Sequence, residues 1–153
     1  MPIRLIKAKE KFLKDVNVNV FGLVHMAQAF APILAEKNGA FVQLNSVVSL
    51  FNMTPFTSYC ASKAATYSIS LGLKDVLSEQ NIHVLSVHPG ATDTQMLRDL
   101  GFEGKAEPVE TVAEGIVTAL KSGNFFLFPG EESQQVGEQY SSFAQTVITS
   151  EDA

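Results

Sequence analysis

The chain has 153 residues, 46% of them hydrophobic and 18% charged, with a formal net charge of −5. That length and apolar share suffice for one packed core, so residues 1–153 read as a single domain. The acidic balance excludes the basic field of a nucleic-acid binder, and the lone cysteine, Cys60, excludes an internal disulfide.

In chain order, Lys9 to about Glu36 predicts a first helix, apolar almost all round from Val16 onward. Asn17, Asn19, His25, Gln28 and Pro32 interrupt it, which suits a buried helix rather than a membrane span. A helix apolar on every side needs cover on every side: one face on a sheet, the other on a neighbour. Ala40 to Ser46 reads as a buried strand, followed by a loop through Pro55 and a helix from Tyr59 to about Glu79. Ala65, Ile69, Leu73, Val76 and Leu77 form its apolar stripe. His83 to His88 is a second strand with the apolar density of one covered on both faces. The region from Thr92 to Ala106 is expected to cover a site, with Met96, Leu97 and Phe102 lining it. Pro108 opens a helix that Gly123 ends, Phe125 to Phe128 is a third strand, and Phe143, Val147 and Ile148 would pack a last helix beyond Ser133. This alternation predicts an α/β fold with a parallel sheet of about three strands and helices on both faces.

Ser46, Tyr59 and Lys63 carry the chemistry. Tyr59 and Lys63 are four apart and share a helix face. A free phenol ionises near pH 10, and a neighbouring ammonium favours the phenolate. Ser46, at a strand end close to the start of the next helix, can hold a substrate oxygen beside Tyr59. Such a trio polarises a carbonyl or deprotonates an alcohol. The same Tyr-x-x-x-Lys spacing also arises on ordinary amphipathic helices, so the pair alone does not decide.

The surroundings decide for chemistry, because they resemble the classical short-chain dehydrogenase/reductase family. Ser46 precedes Tyr59 by thirteen positions, Asn19-Val20-Phe21-Gly22 supplies an Asn-x-x-Gly segment, and VLSVHPGATDT supplies Pro89, Gly90 and Thr94. The resemblance implies a partial Rossmann-like, doubly wound sheet and NAD- or NADP-dependent interconversion of a carbonyl and an alcohol. It implies Tyr59 as general acid/base, and Lys63 as the group that bonds the nicotinamide ribose and lowers the phenol's pKa. It implies Ser46 as the substrate-orienting hydroxyl, and Asn19 as the holder of a relay water. Pro89, Gly90 and Thr94 would border the nicotinamide end and the pyrophosphate. It further implies a homodimer or larger assembly, pairing the first helix and the Tyr59 helix with their symmetry mates.

No glycine-rich phosphate loop appears among the ten glycines, so the resemblance implies a chain lacking the nucleotide-binding first half of the family's fold, with cofactor binding expected to be weakened. Two function classes follow: the catalytic portion of an oxidoreductase, or a non-catalytic dimerising relative that works alone or with a separate nucleotide-binding half. The loop from Ser49 to Phe56 suggests an apolar substrate. A cytoplasmic location is expected from the lack of a signal-peptide pattern and the cysteine usage. No histidine pair has metal-ligand spacing, so no metal is expected. His25 reads as a helix residue, His88 as a residue on an active-site rim, and Cys60 as a buried small side chain.

Overall fold

The computed structural model describes residues 9–101 and 104–147. The chain opens with α1 (Lys9–Asp15), passes through one π-helical stretch at Val16–Phe21, and continues as α2 (Gly22–Glu36). The expected single helix is therefore broken in phase by a wider turn that contains Asn19. Then follow β1 (Ala40–Leu44), α3 (Thr57–Ser78), β2 (His83–Val87), α4 (Gln95–Asp99), α5 (Val109–Ser122), β3 (Phe126–Leu127) and α6 (Glu131–Val147).

The three strands form one parallel sheet in the order β1-β2-β3, with Ala40 opposite His83 and Ser86 opposite Phe126. Parallel neighbours need crossover helices, which then cover the sheet faces. On one face Leu77, Ile82 and Val84 pack with Leu34, Phe41 and Leu73, so α2 and α3 lie there. On the other, Leu85, Val87 and Ala119 pack with Val42, Ile116 and Leu127, which seats α5. Alternation along β2 thus divides the core: Val84, Ser86 and His88 look toward α3, Leu85 and Val87 toward α5. Gly123, at φ +71°, ends α5 as the sequence predicts, because a left-handed residue closes that turn without a Cβ clash.

Several boundaries differ from expectation. β1 ends at Leu44, since Ser46 has left the ladder to cap a short 3-10 turn at Val47–Ser49. β3 is two residues long, and α6 begins at Glu131. Phe102 and Ile148 lie outside the described residues. The underside of α3 matches the predicted apolar stripe only in part: Leu73 and Leu77 pack on the sheet, but Val76 is 56% exposed, and Ser58, Ser62, Thr66 and Ser70 are buried at four-residue intervals.

β1 is an edge strand whose groups can be assigned one by one. Asn45 N donates to Val87 O and His83 N donates to Gly39 O, so odd-numbered residues address β2. Ala40, Val42 and Leu44 therefore turn their N–H and C=O groups to the open edge. The helical stretch Lys9–Glu36 is long and apolar enough to cross a membrane by length and composition, and 11% of its apolar window is buried. It is joined to α3 by side-chain hydrogen bonds and exposes Val18, Phe21, Met26 and Ile33.

Candidate active site

The site forms where β1 and β2 end and α3 begins. Ser46 is the N-cap of the turn at Val47–Ser49, its Oγ accepting from Val48 N at 3.4 Å and donating to Pro89 O at 3.3 Å. The side-chain oxygen thereby bridges the end of β1 to the turn after β2. Tyr59 lies in the first turn of α3, half-buried against Val47, Val48 and Cys60. Lys63, one turn on, places Nζ 5.7 Å from the centre of the Tyr59 ring and donates to Leu44 O at 2.8 Å. Its ammonium thus satisfies the last outward carbonyl of the open β1 edge.

These contacts set the acidities. Burial first, then Cys60 and Asp15, push the Tyr59 phenol above its ordinary value, while the Ser46 hydroxyl pulls it down. Burial brings the Lys63 amine down to about 8. The Lys63 ammonium is turned to Leu44 O rather than to the phenol, and loss of water around the ring outweighs the Ser46 bond. As folded, Tyr59 is a protonated acid at neutral pH.

Asn19 is brought to the same place: its Nδ2 donates to Ser62 Oγ at 2.9 Å, and Ser62 Oγ donates to Tyr59 O at 2.8 Å. Its amide therefore supports the Tyr59 turn. Thr94 is the N-cap of α4, accepting from Leu97 N at 3.3 Å, which leaves its hydroxyl hydrogen free to donate. Pro89 and Gly90 adjoin the site through the Ser46 bond. The segment beyond is fastened by a parallel bridge between Thr92 and Glu107. The loop after Ser46 folds over α3 and encloses an open pocket of about 230 Å3 lined by Leu50, Phe51, Cys60 and Ala64, with Ser46, Tyr59 and Lys63 outside its lining.

Sequence reasoning misplaced one group and missed others. His88 is not at a rim but fully buried, stacked on Phe128 at 5.0 Å and edge-on to Tyr67 at 4.9 Å. Hydrogen-bond accounting assigns its tautomer. Ser86 Oγ receives Asn45 Nδ2 at 2.8 Å, so its own hydrogen serves His88 Nε2 at 2.8 Å. Ser49 Oγ donates to Ser46 O at 2.6 Å, so its lone pair and Ser46 O take the hydrogen on His88 Nδ1, at 3.0 and 3.2 Å. His88 is thus a neutral ring holding the backbone of Ser46, and burial takes it down to about 4. Asn45 completes the network by accepting from Thr66 Oγ1 at 2.7 Å and donating to Ser70 Oγ at 3.3 Å. Hydroxyls every fourth residue from Ser58 to Ser70 were the available signal for this layer.

Residues 2–103 match the family model for the short chain dehydrogenases. The chain belongs to that family. An uncharacterized oxidoreductase of Staphylococcus epidermidis is 32% identical over 107 residues, 69% of this chain and 46% of that protein. A probable oxidoreductase, EphD, of Mycobacterium tuberculosis is 30% identical over 105 residues, covering 67% of this chain and 18% of its own length. A short chain dehydrogenase from Burkholderia cenocepacia, solved in complex with NADP, superposes with a TM-score of 0.83 at 25% identity, over 98% of this chain and 64% of that one. A short-chain dehydrogenase from Sphingobium yanoikuyae, solved with NADPH, gives 0.74 at 21% identity, over 95% and 60% of the respective chains, and speaks for the fold. The chain spans less than half the length of the Staphylococcus relative. The parallel α/β architecture anticipated from sequence is thus that of the short-chain dehydrogenases, among whose solved members are complexes with NADP and NADPH.

Proposed function

We propose that this chain is the catalytic portion of an NAD(P)-dependent oxidoreductase that interconverts a carbonyl and an alcohol. The observation that carries this reading is the convergence of Ser46, Tyr59 and Lys63 from two elements, with Nζ 5.7 Å from the phenol ring and the Ser46 hydroxyl acting on the phenol. The donor set fits the nicotinamide end of the cofactor. The Lys63 ammonium and Tyr59 hydroxyl would hold the ribose, the Pro89-Gly90 turn would border the nicotinamide, and Thr94 has a free hydroxyl hydrogen for a phosphate. Bound there, the nicotinamide supplies the hydride acceptor or donor.

The residues of the chain do the rest. Ser46 Oγ, held between Val48 N and Pro89 O, orients the substrate oxygen. Tyr59 delivers its proton to a carbonyl oxygen during reduction and takes it back from an alcohol during oxidation. Lys63 stabilises the phenolate once its ammonium turns from Leu44 O toward the ring. Asn19 steadies the turn that carries Tyr59, through Ser62. A mainly apolar substrate suits the exposed Phe51 and Met53 of the loop and Met96 of α4.

The apolar flank of the first helical stretch, where Val18 is 64%, Met26 53% and Ile33 55% exposed, suits a second copy of the chain. A sedimentation run showing only compact monomer would overturn that part of the reading. A cytoplasmic location is consistent with the oxidoreductase reading.

The test is calorimetric titration of the chain with NADPH and with NADH, alongside a Lys63→Ala variant. Binding that weakens by roughly tenfold or more in the variant is expected. Absence of binding at millimolar cofactor, or binding indifferent to Lys63→Ala, would sink the proposal for this chain.

A further inference from the structure

Two side-chain hydrogen bonds join the first helical stretch to α3, and they bracket Tyr59. Ser58 Oγ donates to Asp15 Oδ2 at 2.8 Å, and one turn on Asn19 Nδ2 donates to Ser62 Oγ at 2.9 Å. Asp15 and Asn19 are four apart, as are Ser58 and Ser62, so the rungs climb in the same sense along two helices. Both serines are sealed in the contact, Ser58 at 6% and Ser62 at 1% exposure. The upper rung is neutral. The lower one carries a charge, and among the described residues no cation pairs with Asp15.

We infer that Asp15 is a positioning residue for Tyr59: through Ser58 it fixes the first turn of α3 and brings a carboxylate to that turn. The inference rests on the reading of Tyr59 as the acid/base. The groups around the phenol come from every element packed on it. On α3 stand Cys60 beside it and Lys63, whose Nζ is 5.7 Å from the ring centre and bonded to Leu44 O. After β1 stands the neutral hydroxyl of Ser46, and behind Ser46 the neutral ring of His88. Asp15, on α1, is the carboxylate in this set. Its effect on the phenol has the same sign as burial and Cys60, and opposes Ser46. The site so arranged keeps Tyr59 protonated, the form that can donate to a carbonyl oxygen.

The test installs 3,5-difluorotyrosine at position 59, which brings that phenol's titration toward neutral pH where the fold is intact, and follows it by fluorine NMR. Asp15→Asn keeps an acceptor for Ser58 and removes the charge, and Ser58→Ala keeps the charge and removes the bond. The midpoint is expected to fall in Asp15→Asn. In Ser58→Ala the resonance is expected to shift or broaden as the first turn loosens. A tether with no electrostatic role predicts an unchanged midpoint in Asp15→Asn, and that result would overturn the charge effect. An unchanged resonance in Ser58→Ala would overturn the positioning effect. No cofactor is needed, so failure of nicotinamide binding and failure of this inference are read separately.

Discussion

His88 makes the chain's stability depend on pH in a way that can be worked out from its surroundings. The ring is fully buried, donates from Nδ1 and accepts at Nε2, and burial holds it at about 4 against 6.5 for the free side chain. Its folded value is depressed, so the unfolded chain binds the proton first and stability falls as pH drops below about 6.5. Linkage gives a loss of about 2 kcal/mol at pH 5 and about 3 kcal/mol at pH 4, relative to pH 7. Urea denaturation at intervals from pH 7 to pH 4.5 measures it. Carboxylates contribute to the same slope, so His88→Asn serves as the reference: it lowers stability at pH 7 but lacks the titrating ring. The wild-type curve should fall more steeply than the variant's between pH 6.5 and pH 4.5, and the two should converge. Parallel curves would refute the assignment of a buried neutral imidazole.

Other outcomes follow from single contacts. Lys63 is held at about 8, below the unfolded value near 10.4, so stability should rise with pH across that interval. Lys63→Met should flatten that rise in denaturation series at pH 7 and pH 10. A Cβ on Gly137 would meet the Phe128 ring at 2.7 Å, so Gly137→Ala should cost about 1–3 kcal/mol, visible as a lower melting temperature. Leu85 is fully buried between β2 and α5, and Leu85→Ala should cost about 2–5 kcal/mol in urea unfolding. Tyr59→Phe should leave the melting temperature within about one degree and abolish carbonyl reduction in any assay where the unsubstituted chain is active.

Much of this was legible in the residues. β2 was readable because a strand covered on both faces must be apolar on both, and Val84, Leu85 and Val87 are. The placement of Ser46 at a strand end and of Tyr59 and Lys63 on one turn of α3 was readable because such spacing survives any detail of packing. The π-helical stretch at Val16–Phe21 was not, since a run apolar on all sides has no phase to lose. His88 was misplaced because strand-end position suggested a rim, whereas Phe128 and Tyr67 close over it, and Phe128 comes from forty residues further along the chain. The buried underside of α3 was overlooked because hydroxyl residues ordinarily mark a wet face. Here Asp15, Asn19 and Asn45 supply their partners, and none is adjacent in sequence.

That underside also determines how precisely the site is built. Greasy surfaces can slide past one another by a turn and lose little area, but a donor facing the wrong acceptor loses its bond and its hydration together. Thr66 on Asn45, Ser70 on Asn45 and Ser62 under Asn19 act as teeth in a rack, giving α3 one longitudinal setting against the end of β1 and the first helical stretch. The separation between the Ser46 hydroxyl and the Tyr59 phenol is therefore inherited from gearing several residues away. Substitutions along that rack would detune catalysis without touching a reacting atom.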